Sequence, residues 1–171
     1  MQPSSPRMTR CMKTKTMSKQ PHKPCKAADI IFTAHVLSSV KSSGVLEMKG
    51  FCHHGRVSTY KHCLRVALCA KRLNSIFHLK ASENELVRAG ILHDYFGYDW
   101  HNTTNKKHAT NHPVIACKRA CEEFALTEKE QNCILSHMWP LPPTRIPRCR
   151  EAWIICIADK ICALEETLFM R

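Results

Sequence analysis

Two acids sit where this chain can least accommodate them, and they constrain its fold more than any other feature. Asp94 follows His93 inside Val87-Arg88-Ala89-Gly90-Ile91-Leu92-His93-Asp94-Tyr95-Phe96, and Asp159 lies inside Ile154-Ile155-Cys156-Ile157-Ala158-Asp159-Lys160-Ile161. Both runs read as buried helices. An ionised carboxylate among such neighbours is costly unless something compensates its charge. The adjoining imidazole points to a divalent metal, because His and Asp are both good ligands for one. The fold must then carry further ligands from other segments to the same interior point.

The local signals are helical almost throughout. A first helix is expected from about Ala27 to Met48, with a weak point at Ser42-Ser43-Gly44, followed by a turn from Gly50 to Gly55. Ser58 can cap a second helix running to about Leu73. Ser82-Glu83-Asn84-Glu85 and Thr127-Glu128-Lys129-Glu130 read as capping boxes, the first opening the helix of His93-Asp94 and the second a helix to about Met138. Gly97 to Thr110 has no period and reads as a loop. Pro113 suits the first turn of a helix ending near Phe124. Pro140, Pro142, Pro143 and Pro147 forbid helix across the next stretch, and the last helix spans about Arg148 to Phe169. No strand pattern carries weight. The expected fold is all-α, a compact bundle of about six helices over residues 27–171, with ligands facing one another across helices.

Charge and composition bound what surrounds that bundle. Of the formal +12, residues 1–50 carry nine Lys/Arg and two acids. Residues 1–26 hold seven basic residues, four Pro and no acid, which predicts a disordered basic tail that builds no core. The tail has no interleaved aromatics, so nucleic acid is not the expected partner. No apolar run reaches the ~18–20 residues of a membrane span. The eleven Cys include no C-x-x-C pair and mostly fall at helical positions. They read as small buried hydrophobes in a reducing cytoplasm, which is the expected location.

Four more residues join His93-Asp94. His62 lies on the second helix, His112 precedes Pro113, His137 ends the helix that Pro140 stops, and Asp159 occupies the last helix. Singly, each has a plain structural explanation. A core His, a helix-start residue, a cation on the last carbonyls and a buried ion pair would serve in turn. Together they are explained at once by a metal site inside a bundle.

The order His62, His93-Asp94, Asp159 resembles the H…HD…D signature of the HD-domain superfamily of metal-dependent phosphohydrolases. The contexts agree: His62-x-x-Arg65-Val66-Ala67, Leu92-His93-Asp94 and Ala158-Asp159-Lys160. His112-Pro113 and His137 resemble the added ligands of the two-metal subgroup, which includes cyclic-dinucleotide phosphodiesterases and diiron oxygenases. More narrowly, residues 51–166 look like small, largely uncharacterised bacterial HD-domain proteins. The features shared with them are His54-Gly55, Asp99-Trp100-His101 and the segment from His137 to Pro140. Asp94 is followed by Tyr95-Phe96-Gly97-Tyr98, a departure from the cyclic-dinucleotide phosphodiesterase pattern.

The resemblance implies one metal on His62, His93, Asp94 and Asp159, and a second on His112 and His137, with Asp94 bridging. The metals are divalent, drawn from Mn, Fe, Ni, Co, Zn and Mg. The implied activity is hydrolysis of a small, nucleotide-like phosphate ester by a metal-activated hydroxide. Asp94 and Lys160 are the catalytic expectations. Arg145, Arg148 and His101 are expected near substrate, since a guanidinium suits phosphate. Arg65, one turn past His62, is expected to pair with a buried carboxylate. His53, His54 and His108 read as surface residues or proton carriers. Two other functions fit the same ligands: a metal-stabilised binding module without catalysis, and a diiron oxygenase.

Overall fold

The computed structural model describes residues 27–54, 56–102 and 108–169. The expected basic tail, residues 1–26, lies outside them, as do Gly55 and the side chain of His54. The described elements are α1 (Ala27–Ser39), α2 (Ser43–Glu47), β1 (Cys52–His54), β2 (Val57–Ser58), α3 (Thr59–Ile76), α4 (Glu83–Leu92), a 3₁₀ turn at Trp100–Asn102, α5 (His108–Glu123), α6 (Glu128–Ser136) and α7 (Arg150–Phe169). The fold is all-α, as the helical periodicity requires. No described helix is long and apolar enough to cross a membrane.

Helices α3 and α4 form the spine. One apolar cluster packs on them from α1, α2 and α5, around Val36, Met48, Ile91 and Tyr95. A second packs from α6 and α7, around Leu86, Cys133 and Ile155. The two spine helices approach closely at Gly90, where an added Cβ would lie 2.7 Å from Ala67 Cα. That contact sets the register of His62 on α3 against His93 at the end of α4. Of the described cysteines, all are free thiols, and Cys63, Cys117, Cys133, Cys156 and Cys162 are buried.

Several boundaries differ from the sequence expectations. The first helix is broken in two at its weak point, because the Ser42 side chain accepts from Val45 N and starts α2 afresh. The Thr127 box forms in full, while at Ser82 only half forms. Ser82 Oγ accepts from Glu85 N, but Ser82 N donates to Glu151 Oε1 of α7 at 3.1 Å. Glu85 instead holds Thr127 Oγ1 and Lys129 Nζ. Helix α5 begins at His108, upstream of Pro113. Phe96, Tyr98 and Trp100 pack on the His108 ring and fix that extra turn. The carbonyl of Ala109, which loses its amide partner to Pro113, is on an exposed residue and can take water instead.

The segment expected as a plain turn contains a two-stranded hairpin. Cys52 pairs with Ser58 and His54 with Val57, with an irregularity between them at His53. A bulge re-aims the extra residue, and His53 is buried rather than on the surface.

Candidate metal centre

Helix ends build much of this centre. His93 is the C-cap of α4 and His137 the C-cap of α6. Each ring donates from Nδ1 to a last-turn carbonyl of its own helix: His93 to Gly90 O at 2.9 Å, His137 to Ile134 O at 2.8 Å. His112, near the start of α5, likewise donates from Nδ1 to a carbonyl of its own helix, that of the first residue His108, at 3.0 Å. These bonds satisfy carbonyls near the rings and fix Nε2 as the inward-facing atom. Two helix C-termini at one point also supply partial negative charge, which favours a cation.

The six residues expected as ligands converge. His62 Nε2 lies 3.2 Å and His93 Nε2 3.8 Å from Asp159 Oδ1. His93 Nε2 lies 3.6 Å from Asp94 Oδ2. On the other side of that carboxylate, His112 Nε2 is 3.3 Å and His137 Nε2 3.5 Å from Asp94 Oδ1. The two trios His62, His93, Asp159 and His93, Asp94, His137 each have donor atoms close enough to share one ion. Asp94 therefore sits between two groups of imidazoles.

Burial decides what this cluster needs. His62, His93, Asp94, His112, His137 and Asp159 are all buried. His93 Nε2 and Asp94 Oδ1 have no hydrogen-bond partner. Left so, each would carry a desolvation penalty of about 1–3 kcal/mol or more. Burial pushes the His93 imidazole down, but Asp94 foremost outweighs it and the ring titrates well above the ordinary range. Asp94 and Asp159 are held well below the usual carboxylate range: burial opposes ionisation, and His93 foremost at Asp94, His62 and then His93 at Asp159, overcome it. Burial and the nearby His93 push His137 down to about 3. The cluster thus keeps two anions and must gather positive charge around them. Divalent cations fit this donor set of neutral imidazole and carboxylate.

Two residues enlarge the site beyond expectation. His53, expected as a surface residue or a proton carrier, donates from Nε2 to Asp94 Oδ2 at 2.8 Å and stacks on His62 with centroids 3.8 Å apart. Glu166, fully buried, accepts from His62 Nδ1 at 2.9 Å. Arg65 Nε lies 2.9 Å from Glu166 Oε1, the buried partner expected for it. Glu166 follows Asp159 by two helical turns, so the two acids share one face of α7. That spacing was the available signal. Nothing local in the hairpin marked His53.

The remaining expected residues are dispersed. Lys160 lines the cavity over the cluster, but its Nζ donates to His137 O at 3.0 Å. Arg145 donates to Thr110 O at 2.6 Å. Arg148 lines a different hollow with Lys129 and Asn132. His101 is exposed, 3.5 Å from Asp99. Neither arginine is among the residues lining the cavity over the cluster. That cavity holds about 380 Å³, with His53, Asp94, His112, His137 and Asp159 at its base and Trp100, Met138, Pro140 and Leu141 around them. His108 also lines it, where burial pushes its ring down to about 4.

A family model of the HD domain matches residues 59–164, from the first residue of α3 into α7. The chain belongs to the HD-domain family. The match encloses all six converging residues and leaves His53 and Glu166 just outside its two ends. HD domains form a superfamily of metal-dependent phosphohydrolases, and the buried His/Asp groups are able to hold a metal. No match was found among curated proteins or among solved structures.

Proposed function

We propose that this HD-domain protein is a metal-dependent phosphohydrolase acting on a small phosphorylated substrate such as a nucleotide. The observation that carries the reading is the position of Asp94, with His93 on one side of its carboxylate and His112 and His137 on the other. His62, His93, Asp94 and Asp159 would hold one cation, and His112 and His137, with Asp94 shared, a second. Bound there, divalent ions supply an activated water and neutralise charge on a phosphoryl group.

The chain's own residues supply orientation and enclosure. Backbone carbonyls hold His93, His112 and His137 with Nε2 inward. Glu166 holds His62 in the same way from the far side, raising its basicity as a ligand. His53 fixes one oxygen of Asp94 and leaves the other facing His112 and His137. The apolar rim of Trp100, Met138, Pro140 and Leu141 limits water and leaves room for a small organic moiety. Lys160 would act by anchoring the His137 backbone and by adding positive charge at the cavity wall.

The test is hydrolysis of a panel of nucleotides and phosphate monoesters with manganese, nickel, cobalt or magnesium, run aerobically and anaerobically. Anaerobic turnover, abolished in Asp94→Ala together with bound metal, is the expected result. Metal retention without turnover on any ester would favour a non-catalytic module, and a requirement for oxygen would favour oxygenase chemistry.

A further inference from the structure

Helix α7 is buried on one face and apolar on the opposite, exposed one. One faces the core through Ile155, Asp159, Cys162 and Glu166. The other carries Trp153, Ile157, Ile161, Leu164 and Leu168, which are 38, 49, 37, 60 and 59 % exposed. At about 100° per residue these five fall within one stripe on the side away from the core. Such spacing is the seam of a helix pair. Leu141, 57 % exposed, lies at the cavity rim with Lys160 and Ala163 of α7 and adds to the same exposed apolar surface.

We propose that this face is a two-fold interface with a second copy of the chain, the two α7 helices packing antiparallel across Ile161. Two observations select that occupant. The stripe is nearly symmetric about Ile161: Ile157 precedes it by four residues and Leu164 follows by three, while Trp153 precedes by eight and Leu168 follows by seven. An antiparallel copy sets Ile157 on Leu164 and Trp153 on Leu168, as a self-complementary interface requires. The size also fits. At roughly 150–250 Å² per large side chain, the exposures of these residues leave on the order of 600 Å² open, near the lower bound per partner of a stable interface.

Other occupants match less well. Residues 1–26 hold no Leu, Ile, Val, Phe, Trp or Tyr with which to cover the stripe. Helix α7 itself carries four acids against two basic residues, which disfavours an anionic membrane surface.

The test is light scattering on the full chain. Wild type is expected at twice the 19.6 kDa chain mass at micromolar concentration. Ile157→Glu and Leu164→Lys, both at exposed positions, are each expected to run as monomers with unchanged helicity and metal content. Mixing the two variants is expected to restore the dimer, because the carboxylate introduced in one copy then meets the ammonium introduced in the other. A wild-type monomer at about 100-fold higher concentration overturns the proposal, as does a dimer that survives both substitutions or variants that fail to recombine. Metal content and phosphohydrolase activity are read separately, so failure of the dimer leaves the proposed activity standing, and the reverse.

Discussion

His112 Nε2 and His137 Nε2 lie 2.9 Å apart while both rings spend Nδ1 on backbone carbonyls. Two neutral rings so arranged face each other lone pair to lone pair. The pair needs a positive charge between them or on one of them, and Asp94 Oδ1 lies within 3.5 Å of both. His137→Ala is therefore expected to lose one metal equivalent and keep the ion held by His62, His93 and Asp159. Asp94→Ala is expected to lose both. Metal per chain by mass spectrometry decides. Two equivalents retained in His137→Ala would remove it from the ligand set.

Metal binding should release protons. The His93 ring titrates well above its ordinary range in the metal-free cluster, so near neutral pH a cation must displace a proton from it. The sign is fixed: affinity rises with pH toward the His93 pKa and falls as the medium becomes more acidic. Calorimetry of metal binding in buffers of different ionisation enthalpy should report net release. A chelator should lower the melting temperature, since metal at 100–1,000 times its Kd contributes about 2.7–4.1 kcal/mol. Proton uptake on metal binding, or a melting temperature indifferent to chelator, would contradict this.

Glu166 orients His62 from behind. Glu166→Gln keeps the shape but weakens the charge-assisted bond to His62 Nδ1 and the pair with Arg65. Loss of such an outer partner typically costs about 10–100-fold in metal affinity. Competition with a fluorescent chelator measures it. An unchanged affinity would leave Glu166 with a purely structural role.

Glu151 ties α7 to the start of α4. Burial pushes its carboxyl up, but the amides of Glu151 and Ser82 and the charge of Lys129 outweigh burial and hold it below the ordinary range. A depressed folded-state pKa contributes stability above the unfolded value, about 4.3, and the contribution fades as pH falls through the folded value. Glu151→Gln should cost about 1.5–3 kcal/mol near pH 7. Denaturant melts should show the gap from wild type closing below about pH 4. A gap constant with pH would mean that the charge of Glu151 is not what stabilises the contact.

Gly90 lets α4 approach α3. Gly90→Ala would drive a methyl to 2.7 Å from Ala67 Cα, a backbone atom that cannot swing aside. Overpacking of this kind costs about 1–3 kcal/mol, more than the ~1 kcal/mol that alanine gains in helix propensity. A lower melting temperature with weaker metal binding is expected, because the same contact sets His62 against His93. A stabilised variant would show that the helices part without cost.

Much of the bundle was written locally. Thr127 and Glu130 needed only each other to start α6, and four prolines stopped it. The six converging residues could be found in sequence because Asp94 and Asp159 interrupt apolar helical runs, His137 ends a helix that Pro140 stops, and their order matches a family signature. Other features depend on distant partners. Glu85 leaves its expected cap because Glu151, sixty-nine residues past Ser82, takes the Ser82 amide. Helix α5 starts early because aromatic residues from the preceding segment hold His108. The sequence by itself determined a helical bundle that must neutralise two buried carboxylates. Only the tertiary structure decided that His53 and Glu166 complete the cluster and that Arg145 and Arg148 do not line its cavity. Local periodicity reports which face a side chain occupies, whereas those contacts depend on where helices far apart in the chain meet.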